Sequence, residues 1–460
     1  MTKNMKTTKL ILLAVLPMVI SGCNTTKKPT KSSEPTHFEC DVSVHMTAMV
    51  NENKKSSGYS ISTRYIEDSF NNPATTYSDD IKMMSFASSL VTESKDSAQE
   101  FFNTLGYERA ADGGFDAITE DSVGYYIAHK TINDYEMLAI SIRGFNYGKE
   151  WANNFKIGAE GNHAGFELRT NEIFDVLKPI IKSYDGKNLK LWAAGYSRGG
   201  AIANVLASKL LTSEEISVSK DNLYVYTFEA PACLSEANAV AYENVFNFVN
   251  PIDLVANVPP VAYGLKRCGI DKVIDYSNVD KKLKAFDSGA VLPAFTPRTP
   301  SFDGDASYNN EQELLDFIIN TLLKDTNDPV TTLHTREKFA ENYQEAIGYV
   351  VALFITLPQA TIDKIIAKLK TLGALDFFAL LSDDGLYNFL KPILIEDGIP
   401  FVDEELKTNL GKLNTLIQAK TSILMPFIST SPMGIDEAAK NSLLRIIYMH
   451  SPETVYALLK

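Results

Sequence analysis

The sequence predicts an α/β fold: a mostly parallel sheet with flanking helices and a large all-helical insertion. Three observations carry this. From His37 to about Ser277, apolar strand-like runs alternate with helical patterns. One run, Leu189 to Ala194, leads through Gly195-Tyr196-Ser197-Arg198-Gly199 into an Ala-rich helical stretch, Gly200 to Leu211. Beyond a Gly/Pro/Ser/Asp-rich stretch from Asp287 to Asn310, the chain is nearly all helical periodicity up to Met449.

The elements follow in order. Lys3, Lys6 and Lys9 precede the apolar stretch Leu10 to Ile20, which is short for a membrane span. Ser21-Gly22-Cys23 comes next. The whole segment resembles a bacterial lipoprotein signal, so residues 1–22 are expected to be removed and Cys23 to carry lipid. Residues 23–36, rich in Thr, Lys, Ser and Pro, read as a flexible tether. This reading implies export and anchoring to the bacterial cell envelope.

Residues 37–285 read as the α/β core. Asp80 to Val91 has a helical apolar stripe. Gly124 to Thr131 and Met137 to Ile142 read as paired strands around an Asn133-Asp134 turn. His163 to Lys182 is a helix, with Phe166, Ile173, Leu177 and Ile180 on one face. Leu223 to Phe228 and Val245 to Val249 are further buried strands. Residues 286–440 form the insertion, or cap, and residues 441–460 return to the core. Helices are expected at 311–323, 336–355, 360–372, 375–389, 403–427 and 435–449. Their apolar stripes pack on one another or line a groove for acyl chains.

The formal charge is −13, and loss of the three lysines at the N-terminus would take it to −16. Nucleic acid is therefore excluded as an expected partner, since phosphate binding needs clustered Lys and Arg. Of four cysteines, Cys23 is assigned to lipid, leaving Cys40, Cys233 and Cys268. Cys233 with Cys268 is the favoured pair. No zinc, phosphate-loop or EF-hand spacing occurs, so no metal or cofactor is expected.

The Gly195–Gly199 pattern predicts chemistry. A strand turning sharply into a helix lifts a serine hydroxyl clear of the sheet, and the glycines let the turn close. A serine needs a base, and the base needs an acid to orient it. In α/β-hydrolases the acid and then the base follow the serine along the chain. Of six histidines, His334 and His450 lie far enough downstream, and His450, at the junction before Ser451-Pro452-Glu453, is preferred. Asp253 follows a strand at the carboxyl end of the sheet and is the chosen acid, with Asp271 and Asp275 as alternatives. The oxyanion donors are expected to be the backbone N–H groups of Arg198 and Phe145.

Taken together, Ala139 to Gly144 with Trp151, His163-Ala164-Gly165-Phe166, Gly195 to Gly200, Asn250 to Pro260 and His450 to Tyr456 resemble the class 3 (fungal-type) lipases of the α/β-hydrolase superfamily. The resemblance covers roughly residues 60–280 and the last dozen. It departs at Phe145, where the family often has Thr or Ser, and at Tyr196, where it often has His. It implies a carboxylic ester hydrolase, with lipid esters among its substrates. A non-catalytic surface-binding lipoprotein and an amide or peptide hydrolase are the alternatives.

Overall fold

The computed structural model describes residues 20–21, 38–46, 59–116, 118–119, 122–144, 148–286, 289–299, 307–323, 335–369, 371, 379–380, 382, 384–400, 403–419 and 437–460. Cys23, the tether, Phe145 and His334 lie outside them.

Strands β1 (Ile20–Ser21), β2 (Glu39–Met46) and β3 (Tyr59–Ile66) form a small antiparallel sheet. The main sheet has seven strands. β4 (Glu108–Gly113), β5 (Tyr125–Ile132) and β6 (Tyr135–Ile142) pair antiparallel. From β6 onward the pairing is parallel, through β7 (Leu189–Tyr196), β8 (Leu223–Phe228), β10 (Val245–Val249) and β12 (Ile270–Val273). β9 (Leu234–Ser235) and β11 (Leu265–Lys266) make a separate two-stranded ribbon.

Period-two alternation explains why these strands are buried on both faces. In β7, Leu191 and Ala193 join one core cluster, while Trp192 and Tyr196 join the other. In β8, Leu223 and Val225 point to the first, and Tyr224, Tyr226 and Phe228 to the second. The first cluster lies under α3 (Ala164–Lys182) and α4 (Arg198–Thr212). Ala201, Ala203 and Ala207 let α4 lie close to the sheet. The second cluster is aromatic and is covered by α1 (Asp79–Leu90) and α2 (Lys95–Thr104). Within it, Trp192 donates its indole N–H to Ser85 Oγ at 2.7 Å, so the large ring is buried with its polar group satisfied.

α5 (Val279–Phe286) closes the core, and the expected insertion begins after it. α6 (Glu311–Leu323) and α12 (Glu437–Tyr448) flank the insertion in sequence and pack into the main core through Leu314, Leu315 and Ile446. Arg445 of α12 bonds Asp280 at 2.6 Å and Glu311 at 2.9 Å, tying α12 to α5 and α6. α7 (Arg336–Asn342), α8 (Gln344–Thr356), α9 (Gln359–Leu369), α10 (Gly385–Glu396) and α11 (Asp403–Ala419) lie between. α8 to α11 share an apolar core of their own, including Val350, Ile362, Leu390 and Leu406. No single described helix is long and apolar enough to cross a membrane, although α8 and α9 together pass as a bent pair.

The sequence pattern runs helix through residue 343, yet the backbone breaks at Tyr343 into α7 and α8, with φ −126°. The expected Cys233–Cys268 bridge is not formed. Both thiols are free and buried, with Cys233 Sγ on Ala201 O at 3.4 Å and Cys268 Sγ on Asn204 O at 3.4 Å. Each thiol turns to a carbonyl of α4 rather than to the other.

Candidate active site

Ser197 lies between β7 and α4 with φ 52° and ψ −125°, a conformation costly for a side-chain-bearing residue. Two glycines make the turn possible. A Cβ on Gly195 would lie 2.2 Å from Gly199 O, and one on Gly144 would lie 1.6 Å from Tyr196 O. Gly144 therefore lets the segment after β6 press directly on the serine turn. The Ser197 N–H is held by Phe228 O of β8 at 2.8 Å.

Asp253 follows β10 on the loop opened by Asn250, whose side-chain oxygen accepts from Ile252 N at 3.1 Å. The Asp253 carboxylate is fully buried. One of its oxygens accepts from Val255 N at 2.8 Å, and the other meets His450 Nδ1 at 2.5 Å. The opposite ring nitrogen, His450 Nε2, is 2.8 Å from Ser197 Oγ. Acid, imidazole and hydroxyl thus lie in one row, drawn from three separate parts of the chain.

His450 is positioned by the segment on either side of it. α13 (Pro452–Leu459) begins with Ser451 as N-cap, whose hydroxyl accepts from Thr454 N, and with Pro452 in its first turn. Tyr196 donates its phenolic hydrogen bond to the His450 carbonyl. Tyr456 of α13 accepts from Ser62 N at 2.9 Å and donates to Ser62 O at 2.8 Å, fixing the helix to β3. Burial, reinforced by the charge of Asp253, holds the Tyr196 phenol well above its ordinary range.

Behind the serine turn lies a buried ion cluster. Glu150, in the 3-10 segment Gly148–Phe155, pairs with Arg143 and with Arg198 Nη1 at 2.9 Å, and accepts from Ser122 Oγ at 2.8 Å. All three charged side chains are at most 1 % exposed. Two guanidinium groups on one carboxylate leave a formal surplus of positive charge. The Arg198 side chain is committed to this cluster, and its guanidinium also donates to Ser122 O at 3.1 Å.

Of the other expected residues, Asp271 is on β12, bonded to Arg267 and Asn247, and Asp275 is bonded to Ser277; neither is the partner of His450. His163 is buried with its ring stacked on Phe166 at 3.8 Å and Nε2 on Asn154 O at 3.2 Å. Burial pushes its imidazole down to about 3, so it stays neutral. Glu150, Glu229 and the bond from Tyr196 to His450 were not legible in the sequence, because each depends on contacts between distant segments. Among the described residues no three His, Cys, Asp or Glu side chains gather into a metal-holding group.

A serine on a strand–helix turn of a mostly parallel sheet, with an imidazole and a buried carboxylate behind it, defines an α/β-hydrolase-type protein. Residues 139–263 match the family model described as Lipase (class 3). A search of curated proteins finds no match. Among solved structures the chain is similar to the Rhizomucor miehei triacylglyceride lipase, with 20% identity, 43% of this chain and 82% of that one covered, and a TM-score of 0.34. It is also similar to a fungal lipase–inhibitor complex (19% identity, 43% and 82% covered, TM-score 0.37) and to lipase II from Rhizopus niveus (18%, 45% and 80%, TM-score 0.30). The family model covers that segment alone.

Proposed function

We propose that Ser197, His450 and Asp253 act as a catalytic triad that cleaves carboxylic esters of lipids through an acyl-enzyme. The observation that carries this is the row itself, with 2.8 Å from Ser197 Oγ to His450 Nε2 and 2.5 Å from His450 Nδ1 to Asp253 Oδ2. Ser197 Oγ attacks the ester carbonyl carbon while His450 Nε2 takes its proton. Asp253 holds the ring in the tautomer that leaves Nε2 open and stabilises the imidazolium. His450 then returns the proton to the leaving alkoxide as the C–O bond breaks. Water, deprotonated by His450, releases the acid and regenerates the serine.

The tetrahedral intermediate needs N–H donors at the developing oxyanion. The Arg198 backbone, at the first position of α4, supplies one, and the positive end of that helix and the surplus charge of the Arg143–Glu150–Arg198 cluster favour the same anion. Phe145 N–H is the second proposed donor. In this reading the N-terminal signal leaves Cys23 lipid-modified, so that the hydrolase works tethered to the cell envelope.

The test is labelling of the mature protein with a fluorophosphonate, followed by turnover of p-nitrophenyl esters of short and long acyl chains. Ser197→Ala should abolish both while leaving the circular dichroism spectrum unchanged. Labelling that persists in this variant would place the nucleophile elsewhere. Parallel assays on anilides separate ester from amide hydrolysis, which share this geometry.

A further inference from the structure

Glu229 follows β8 directly, and its backbone has φ 51°. The described non-glycine residues with positive φ are Asn133, Ser197, Glu229 and Asn278. Asparagine tolerates this region, and Ser197 is the serine turn itself. A glutamate held there signals a local demand on its side chain. The conformation turns that side chain into the protein, where Glu229 is 0% exposed. The backbone is pinned by a bond from Glu229 N to Phe248 O at 2.9 Å. The two carboxyl oxygens accept from Asn250 N at 3.1 and 3.0 Å, and the carboxyl is in hydrogen-bonding contact with Asp253.

We propose that Glu229 is a positioning residue of the triad: its carboxyl group stays neutral and donates its hydroxyl hydrogen bond to the Asp253 carboxylate, fixing the charge and aim of the acid that orients His450. The proposal rests on the triad reading of Ser197, His450 and Asp253.

Two fully buried carboxyl groups that share a hydrogen bond do not both ionise, so one keeps a proton. Asp253 has the better claim to the charge, because it already receives the Val255 N–H and the His450 ring. Among the described residues, Glu229 receives only the Asn250 N–H. Burial pushes the Glu229 carboxyl well above its ordinary range, and the Asp253 charge adds to this. Arg267 pulls the other way, but its guanidinium is bonded to Asp271, Ala230 O and Ala256 O. The remaining titratable neighbour, the Tyr196 phenol, is itself kept protonated by burial. A neutral O–H donor on Asp253 disfavours migration of the imidazole proton to the aspartate, and it avoids a second negative charge near the developing oxyanion.

The test compares wild type with Glu229→Gln and Glu229→Leu. Gln is neutral and keeps both a donor for Asp253 and an acceptor for Asn250 N–H. Leu keeps the bulk and loses the donor. Infrared difference spectra of wild type minus Glu229→Gln at neutral pH should show the C=O band of a protonated carboxyl. In ester hydrolysis the Gln variant should keep kcat within about threefold, while Leu loses about tenfold to a hundredfold in kcat at little-changed KM. The alkaline limb of the wild-type kcat/KM profile should be displaced in the Gln variant. Absence of the infrared band overturns the proposal, as does a Gln variant that falls as far as Leu. A folded Leu variant with wild-type kcat overturns it too. If Leu does not fold, the band and the Gln profile still decide. Failure of the triad reading shows separately, as wild-type protein that does not label at Ser197, and the positioning role falls with it.

Discussion

Tyr196, the residue before the proposed nucleophile, donates its phenolic hydrogen bond to the backbone carbonyl of His450, the proposed base. Nucleophile strand and base segment are thus joined directly, without passing through the triad. The rings of the two residues are also tilted against each other, with centroids 5.4 Å apart. Tyr196→Phe removes one hydroxyl and keeps the ring. The His450 carbonyl then loses a partner in a partly buried site, which should cost about 1 kcal/mol of stability. Looser placement of the base should appear as a lowered kcat with KM nearly unchanged, measured on p-nitrophenyl esters.

Asp253→Asn keeps the shape of the acid and removes its charge. The amide offers an N–H to His450 Nδ1, which favours the tautomer with the proton on Nε2, where it cannot act as base toward Ser197. By the behaviour of such triads generally, kcat should fall by about 10⁴-fold. Thermal midpoints and fluorophosphonate labelling rates, taken together, check that catalysis and not folding is lost.

Arg336 fastens the helical insertion to the core. Its guanidinium donates to the carbonyls of Ile157, Gly158, Glu160, Gly161 and Asn162 at 2.6 to 2.9 Å, and Gln344 accepts from Gly158 N at 3.1 Å. A planar five-donor group suits this cluster of carbonyls, and an ammonium does not. Arg336→Lys should therefore destabilise almost as much as Arg336→Ala, by about 2–4 kcal/mol. Hydrogen exchange should show residues 157–162 and α7 losing protection together.

His163 gives the fold a dependence on acid. Its folded form stays neutral down to about pH 3, while the unfolded chain takes up a proton near its ordinary value of 6.5. The unfolded state therefore binds more protons between these limits. Stability from the neutral ring is complete above pH 6.5 and is lost as pH falls below it, by about 2 kcal/mol at pH 5. Denaturant titrations of wild type and His163→Gln at pH 7.5 and 5 check this, since the variant should lose less on acidification.

Glu229 carries the opposite sign. Its folded carboxyl keeps a proton that the unfolded chain releases above the ordinary glutamate range. Its contribution is thus intact in acid and is lost as pH rises. Glu229→Gln removes this burden, so the difference in thermal midpoint, variant minus wild type, should grow from pH 4 to pH 8.

Much of this architecture was legible in the chain because the central strands repeat a simple pattern. Leu223–Phe228 and Val245–Val249 are buried on both faces, and their apolar runs match the observed bounds. The serine turn was legible because its glycines meet a physical limit on backbone approach. β4 was not, since Glu108–Gly113 is an edge strand that is mostly polar and nowhere buried. α2 was missed because its stripe, Ala98, Phe101 and Phe102, is short. The break at Tyr343 interrupts an unbroken apolar period and belongs to tertiary packing. Glu229 reads as one acidic letter between Phe228 and Ala230, and its meaning arises only where β8 and the loop after β10 meet.

The order in which the chain is made gives the distance between Ser197 and His450 a further meaning. The two are 253 residues apart in sequence, and α13 must dock on β3 before the imidazole is held in place. On the proposed triad, a polypeptide halted anywhere upstream of residue 450 holds the Ser197 hydroxyl without its base. In that reading, hydrolytic power waits on the docking of α13 and not on the synthesis of the serine turn.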